Sequence, residues 1–418
     1  MTGAVPSGSA RPSSIAAATA VAGASLTVIV GHDGSPGWQV ARALGVAVLA
    51  AGAVAAEGAC GDRGRGRVAA LVGVTVLAVG AGFTPFLVKE AASLEVVAGA
   101  TALGAGIFLA ASGTVVGTRR RGRLRRIGAG VGTVLAALLV TDVVAPAVAA
   151  VNVPRPAVGA DPASRGLAFE TVALRTADGV TLAGWYVPSG NGAAVVVLHG
   201  AGSTRSDVLG PAAVLARNGF GVLMIDARGH GRSGGRAMDF GWYGDRDIAA
   251  ATAYLAGRPD VDRRRLGLVG LSMGGEEAIG ATATDPLVRA VVAEGAKARN
   301  AADEAWLSDE FGLRGFVQEQ LERLQDRVAD VLTAAPVPRA LRAAVETSGT
   351  RYLLITAGTI ADEGHVAAYL AAGAPDRVET WNVPGAAHTG GLRTAPRAWE
   401  DRVTAFLTTA LGLPAARV

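Results

Sequence analysis

The stretch Leu266-Gly267-Leu268-Val269-Gly270-Leu271-Ser272-Met273-Gly274-Gly275-Glu276-Glu277-Ala278-Ile279 decides the fold. Its opening residues read as a buried strand and its closing residues as the start of a helix. Between them stands G-x-S-x-G. A chain that passes from strand to helix over one residue has no room for side chains two positions either side, so Gly270 and Gly274 are glycine. The Ser272 hydroxyl is left exposed at a helix N-terminus, where the peptide dipoles favour developing negative charge. With 58 glycines in 418 residues the bare pattern arises easily by chance. The strand before it and the helix after it give it weight. Glu276 and Glu277 fall in the first helical turn, where acids suit the dipole; either could instead meet a cationic substrate group.

About 70 residues upstream, Val195-Val196-Val197-Leu198 leads into His199-Gly200-Ala201-Gly202-Ser203. A buried strand ending in small residues lets backbone N–H groups approach a substrate oxygen. The N–H groups of Ala201 and Met273 are the expected pair for a developing oxyanion.

The region after residue 166 alternates short apolar runs with helical patterns, which predicts an α/β sheet. Strands are expected near 167–174, 180–187, 194–198, 222–225, 266–271, 290–293, 352–356 and 378–383, and helices at 245–256 and 398–411, among others. Asp178-Gly179 marks a hairpin between the first two strands. The later strands are continuous apolar runs, as parallel strands buried on both faces require.

With these elements in place, residues 165–415 resemble an α/β-hydrolase of the serine esterase or peptidase kind. The segment Asp226-Ala227-Arg228-Gly229-His230-Gly231-Arg232-Ser233-Gly234 is similar to the D-x-R-G-x-G-x-S segment of such proteins. The resemblance implies a serine, acid and histidine in that chain order. Of the five histidines (His32, His199, His230, His365 and His388), His388 lies in a loop after the last strand, where the family places its base. His199 and His230 belong to loops that shape the site, and His365 reads as a helix residue. For the acid, the loop after strand 352–356 offers Asp362. Its spacing from Gly358 is one residue longer than the usual G-x-x-D, so Glu363 stays open, as does Glu294 after the preceding strand.

Between 296 and 350 lies a charged insertion holding Trp306, Phe311 and Phe316. Phe316, Val317, Leu321, Leu324, Val328 and Leu332 recur at helical spacing. This is either a lid over the site or a surface helix packed on the sheet.

The N-terminal third is different in kind. Residues 1–152 hold 12 Lys and Arg against 6 Asp and Glu, whereas the remainder is slightly acidic. Apolar runs fall at 14–31, 38–56, 68–88, 96–117 and 127–153, and a helix needs about 20 apolar residues to cross a bilayer. Five transmembrane helices are therefore expected, followed by a proline-bearing linker at 153–166 and the hydrolase-like domain at 167–418. Arg63, Arg65 and Arg67 follow the second run. Arg119, Arg120, Arg121, Arg123, Arg125 and Arg126 separate the fourth from the fifth. Positively charged connections stay in the cytoplasm, which predicts an extracytoplasmic C-terminal domain. Asp142 reads as an interface residue, and the region, which also offers the Lys89–Glu90 pair, reads as an anchor.

Composition excludes several classes. Half the residues are hydrophobic and mean hydropathy is +0.36, too apolar for a disordered chain. The single cysteine, Cys60, excludes a disulfide scaffold. The arginine run is short, flanked by apolar spans and without interleaved aromatics, so no nucleic acid is expected. No metal-ligand cluster, phosphate loop or nicotinamide fingerprint occurs, so no metal or cofactor is expected. The expected partners are the lipid bilayer and a small or lipid-like acyl substrate. Esterase, peptidase, thioesterase, lipase, haloperoxidase and acyltransferase chemistry would share the same residues. A membrane sensor or transport component that uses the domain only for binding is the reading from another class.

Overall fold

A computed structural model of the chain describes residues 14–29, 36–85, 93–152, 155–236 and 239–414. His32, the Lys89–Glu90 pair and the ends of the first, third and fifth apolar runs lie outside the described residues. The chain divides into two compact units, Met1–Ala149 and Ala150–Val418.

The first unit is helical: α1 (Ser14–Ile29), α2 (Pro36–Ala59), α3 (Asp62–Gly82), α4 (Leu94–Thr118) and α5 (Arg123–Ala150). Four of these, α2 to α5, are long and apolar enough to cross a membrane. The described part of the first expected span, α1, covers 16 residues, about 24 Å at 1.5 Å each, and the residues on either side of it lie outside the described ones. Arg63, Arg65 and Arg67 sit in the first turns of α3 rather than in a loop. Helices α3 and α4 pack with their backbones nearly touching. A Cβ on Gly73 would lie 2.2 Å from the Ala110 nitrogen, so only glycine permits this approach. Asp142 is exposed on α5.

The second unit is built on one eight-stranded sheet of order β1-β2-β4-β3-β5-β6-β7-β8. The strands are β1 (Glu170–Arg175), β2 (Thr181–Val187), β3 (Ala194–Leu198), β4 (Gly221–Ile225), β5 (Leu266–Leu271), β6 (Val288–Glu294), β7 (Arg351–Ala357) and β8 (Val378–Val383). β2 runs antiparallel to both neighbours and every other pairing is parallel. The β1–β2 hairpin turns at Gly179, whose φ of 85° suits glycine.

Successive residues of a strand face opposite sides, and both sides of this sheet are covered. Ala194, Val196 and Leu198 of β3 enter one core, and Val195 and Val197 enter the other. That is why β3 reads as an unbroken apolar run. The flanking helices are α6 (Leu209–Arg217), α7 (Gly244–Ala256), α8 (Met273–Ala281), α12 (Ala361–Ala371) and α14 (Pro396–Ala410), with the short α13 (Gly391–Thr394) before the last. The insertion after β6 contributes α9 (Leu307–Phe311), α10 (Leu313–Leu332) and α11 (Leu341–Thr347).

Candidate active site

Ser272 stands alone between β5 and α8 with φ 54° and ψ −124°. A non-glycine residue held there costs about 1–3 kcal/mol, which the surrounding fold must supply. The two flanking glycines make the turn possible. A Cβ on Gly270 would lie 2.1 Å from the Gly274 carbonyl oxygen, and one on Gly274 would lie 2.7 Å from both Leu198 and the His199 oxygen. The Ser272 N–H donates to the Glu294 carbonyl at 2.8 Å, tying the turn to β6.

His388 reaches this serine from the loop after β8. Its Nε2 lies 2.9 Å from Ser272 Oγ and its Nδ1 lies 2.7 Å from Glu363 Oε1. A carboxylate only accepts, so Nδ1 carries the proton and Nε2 is free to accept from the serine hydroxyl. The hydrogen bond to Glu363 raises the His388 pKa above its usual 6.5, against the opposing effect of partial burial.

The structure places Glu363, not Asp362, against His388. Both begin α12, and adjacent helical residues point about 100° apart, so only one can face inward. Glu363 is fully buried on the face that carries Val366, Ala367 and Leu370, at spacings of three, four and seven. Its second oxygen accepts the Ala357 N–H at 2.7 Å. Asp362 is 63% exposed and lies 3.7 Å from Lys297 Nζ. Glu294, the other alternative, is occupied elsewhere. One oxygen accepts the Gly391 N–H at 2.6 Å and the other the Trp399 indole N–H at 2.9 Å. It fastens the chain just beyond His388 to α14.

The loop after β3 lies beside the serine: a Cβ on Gly200 would be 3.2 Å from Ser272 Cβ. Two buried imidazoles brace this loop. His199 Nε2 accepts the Ala227 N–H at 2.9 Å, which leaves its Nδ1 to donate to the Gly200 carbonyl at 2.8 Å. His230 Nε2 accepts the Gly202 N–H at 3.2 Å. Burial pushes both pKa values down to about 4, so both rings stay neutral near pH 7. Met273 is the first residue of α8, so its N–H has no acceptor within the helix.

The 226–234 segment is scaffolding. Asp226 accepts from the Arg205 backbone at 2.8 Å and pairs with its guanidinium at 2.6 Å, fully buried. Arg228 joins Asp178 and Asp247 at 2.7 and 2.8 Å and lies over the Tyr243 ring.

Three features of the site were missed at the level of sequence. Glu276 Oε1 accepts the Lys297 N–H at 2.9 Å, and burial pushes its pKa up to about 7. Gly295, at φ 70°, lies flat against His388, where a Cβ would stand 2.9 Å from the imidazole. The insertion braces α12: the Trp306 ring stacks on His365 at 5.2 Å and 5°. A glycine directly after an apolar strand is the available signal for Gly295; Glu276 and Trp306 stand out in the sequence, but nothing local marks their partners.

Residues 190–330 match the serine aminopeptidase S33 family; they include Ala201 and Ser272 but neither Glu363 nor His388. An uncharacterized protein of Mycobacterium tuberculosis, Rv2307c, is 37% identical over 118 residues, 28% of this chain and 41% of that protein. The thiohydrolase aneE of Aspergillus aculeatus is 34% identical over 128 residues, 30% of this chain and 40% of that protein. The chain thus spans about two fifths of the length of the curated relatives it matches. The esterase Pf2001 of Pyrococcus furiosus superposes with a TM-score of 0.50 at 24% identity, covering 63% of this chain and 98% of the esterase. The C-terminal unit has the α/β-hydrolase fold.

Proposed function

We propose that this chain is a membrane-anchored serine hydrolase that cleaves an ester or related acyl bond. The observation that carries the reading is the unbroken run Ser272 Oγ, His388 imidazole, Glu363 carboxylate, at 2.9 and 2.7 Å, with the serine held in a strained turn. Ser272 Oγ attacks the acyl carbon while its proton passes to His388 Nε2. Glu363 holds the ring and offsets the imidazolium charge. The N–H groups of Ala201 and Met273 receive the oxyanion. His388 returns the proton to the leaving alcohol, and water, deprotonated by the same ring, releases the acyl group.

The membrane reading rests on α2 to α5, each of bilayer length and apolar. Six arginines stand between 119 and 126, at the start of α5. If that end stays in the cytoplasm, the single crossing of α5 carries the hydrolase unit to the outer side, whatever α1 does. The test of chemistry is a panel of ester, thioester and peptide substrates of graded acyl length, run on the full chain beside Ser272→Ala. Ester turnover that vanishes in the variant supports the reading. Equal turnover in both contradicts it.

A further inference from the structure

Helix α10 turns part of its apolar surface to the outside while two of its acids point inward. In a soluble domain the acids of an amphipathic helix face water and the apolar residues face the core. Here Glu319 is buried and its carboxylate accepts the Ser308 N–H at 2.8 Å, and Asp326 accepts the Ala301 N–H at 2.7 Å. The outward stripe holds Leu313, Phe316, Val317, Leu324 and Val331, between 44% and 79% exposed. Among the described residues, every exposed large apolar side chain of the C-terminal unit falls between 311 and 337. Arg314, Arg323 and Arg327 are exposed on the same helix. The structure also ties this insertion to α12, the helix that carries Glu363, through the Trp306–His365 stack.

We propose that the outward face of α10 docks on the bilayer surface, with its apolar side chains in the acyl–headgroup boundary and its arginines among anionic headgroups. The inference rests on the membrane-anchored reading above and deepens it: the hydrolase draws lipid-like acyl substrates from the membrane it docks on. Two observations select the bilayer as the occupant. An apolar stripe flanked by exposed arginines is the pattern of helices that lie in a membrane interface. The same chain carries four helices of bilayer length. A free-standing monomer in water has no reason to gather its exposed large apolar side chains on one insertion.

The test uses the full chain in a Cys60→Ser background, reconstituted into phosphatidylcholine vesicles containing phosphatidylglycerol. Single cysteines at Phe316→Cys and Leu324→Cys carry a polarity-sensitive fluorophore. Val134→Cys on α5 and Arg264→Cys, at a highly exposed position, are the references. The expected result is blue-shifted emission at 316, 324 and 134 that nitroxide-labelled lipid quenches, with 264 unaffected. Quenching at 134 but not at 316 and 324 overturns the docking alone. No quenching at 134 overturns the membrane reading and the docking with it. Blue-shifted emission at 316 without lipid quenching means that a second copy or bound acyl chain covers the face, and also overturns the proposal. In parallel, Phe316→Glu with Leu324→Glu should lower turnover of a bilayer-resident long-chain ester by at least about tenfold, the order that losing buried apolar contact implies. Turnover of a water-soluble short-chain ester should be unchanged. Equal effects on both substrates count against docking.

Discussion

Glu363 grips His388 on the side of the ring opposite Ser272, with 2.7 Å from its Oε1 to Nδ1, and is itself held by the Ala357 N–H at 2.7 Å. The carboxylate is fully buried, so the imidazole has one orientation and one tautomer available. Glu363→Gln should therefore lower kcat for an ester by roughly 10⁴-fold, as when a triad acid becomes an amide and the wrong tautomer is favoured. Asp362→Asn, at an exposed position, should leave kcat within about threefold, the range of a surface charge change. Steady-state kinetics on the two variants decide the matter; a larger loss in Asp362→Asn would reverse the assignment.

The pH profile follows from the charges around His388. Only the neutral ring accepts the serine proton, and its pKa is raised chiefly by the hydrogen bond to Glu363. The value of kcat/KM should thus fall as pH drops through a midpoint above 6.5. Glu276 raises this midpoint when ionised and Lys297 lowers it. Glu276→Gln should shift the acid limb to lower pH and Lys297→Met should shift it to higher pH. Shifts of the opposite sign would mean that another group controls the limb.

Glu294 tests how the His388 loop is secured. Its two oxygens satisfy the Gly391 N–H and the Trp399 indole inside the fold. Glu294→Ala leaves two buried donors unpaired, at about 1–3 kcal/mol each. The variant should unfold at a clearly lower temperature and lose activity through disorder at His388. Unchanged thermal unfolding would show that the loop is held by other contacts.

Topology is open to fusion reporters. A C-terminal alkaline phosphatase fusion should be active, and a C-terminal fluorescent protein that matures only in the cytoplasm should be dark. The reverse pair would place the unit carrying Ser272 in the cytoplasm.

Much of this architecture is legible in the sequence. The central strands are readable because cover on both faces leaves uninterrupted apolar runs, as 194–198 does, whereas the first pair is marked by the Asp178-Gly179 turn. The strand–turn–helix context of Ser272 was equally clear, since glycine is forced at 270 and 274. For the acid, loop spacing points first to Asp362 and leaves Glu363 and Glu294 open, whereas helix phase selects Glu363. Val366, Ala367 and Leu370 define the buried face of α12, and that face projects back to 363. For α10, spacing alone grouped Phe316, Val317 and Leu324 with Leu321, Val328 and Leu332. The first three are exposed and the others half-buried, a division set by which acids find backbone donors inside the unit.

The central claim is that Ser272 is the nucleophile. The most direct measurement is reaction of the full chain with a fluorophosphonate, followed by mass spectrometry of the labelled peptide. The account predicts one adduct, on Ser272, formed by the native chain and absent in Ser272→Ala, with folding of the variant preserved. Full-strength labelling of the alanine variant, or an adduct on another serine in the native chain, would contradict it.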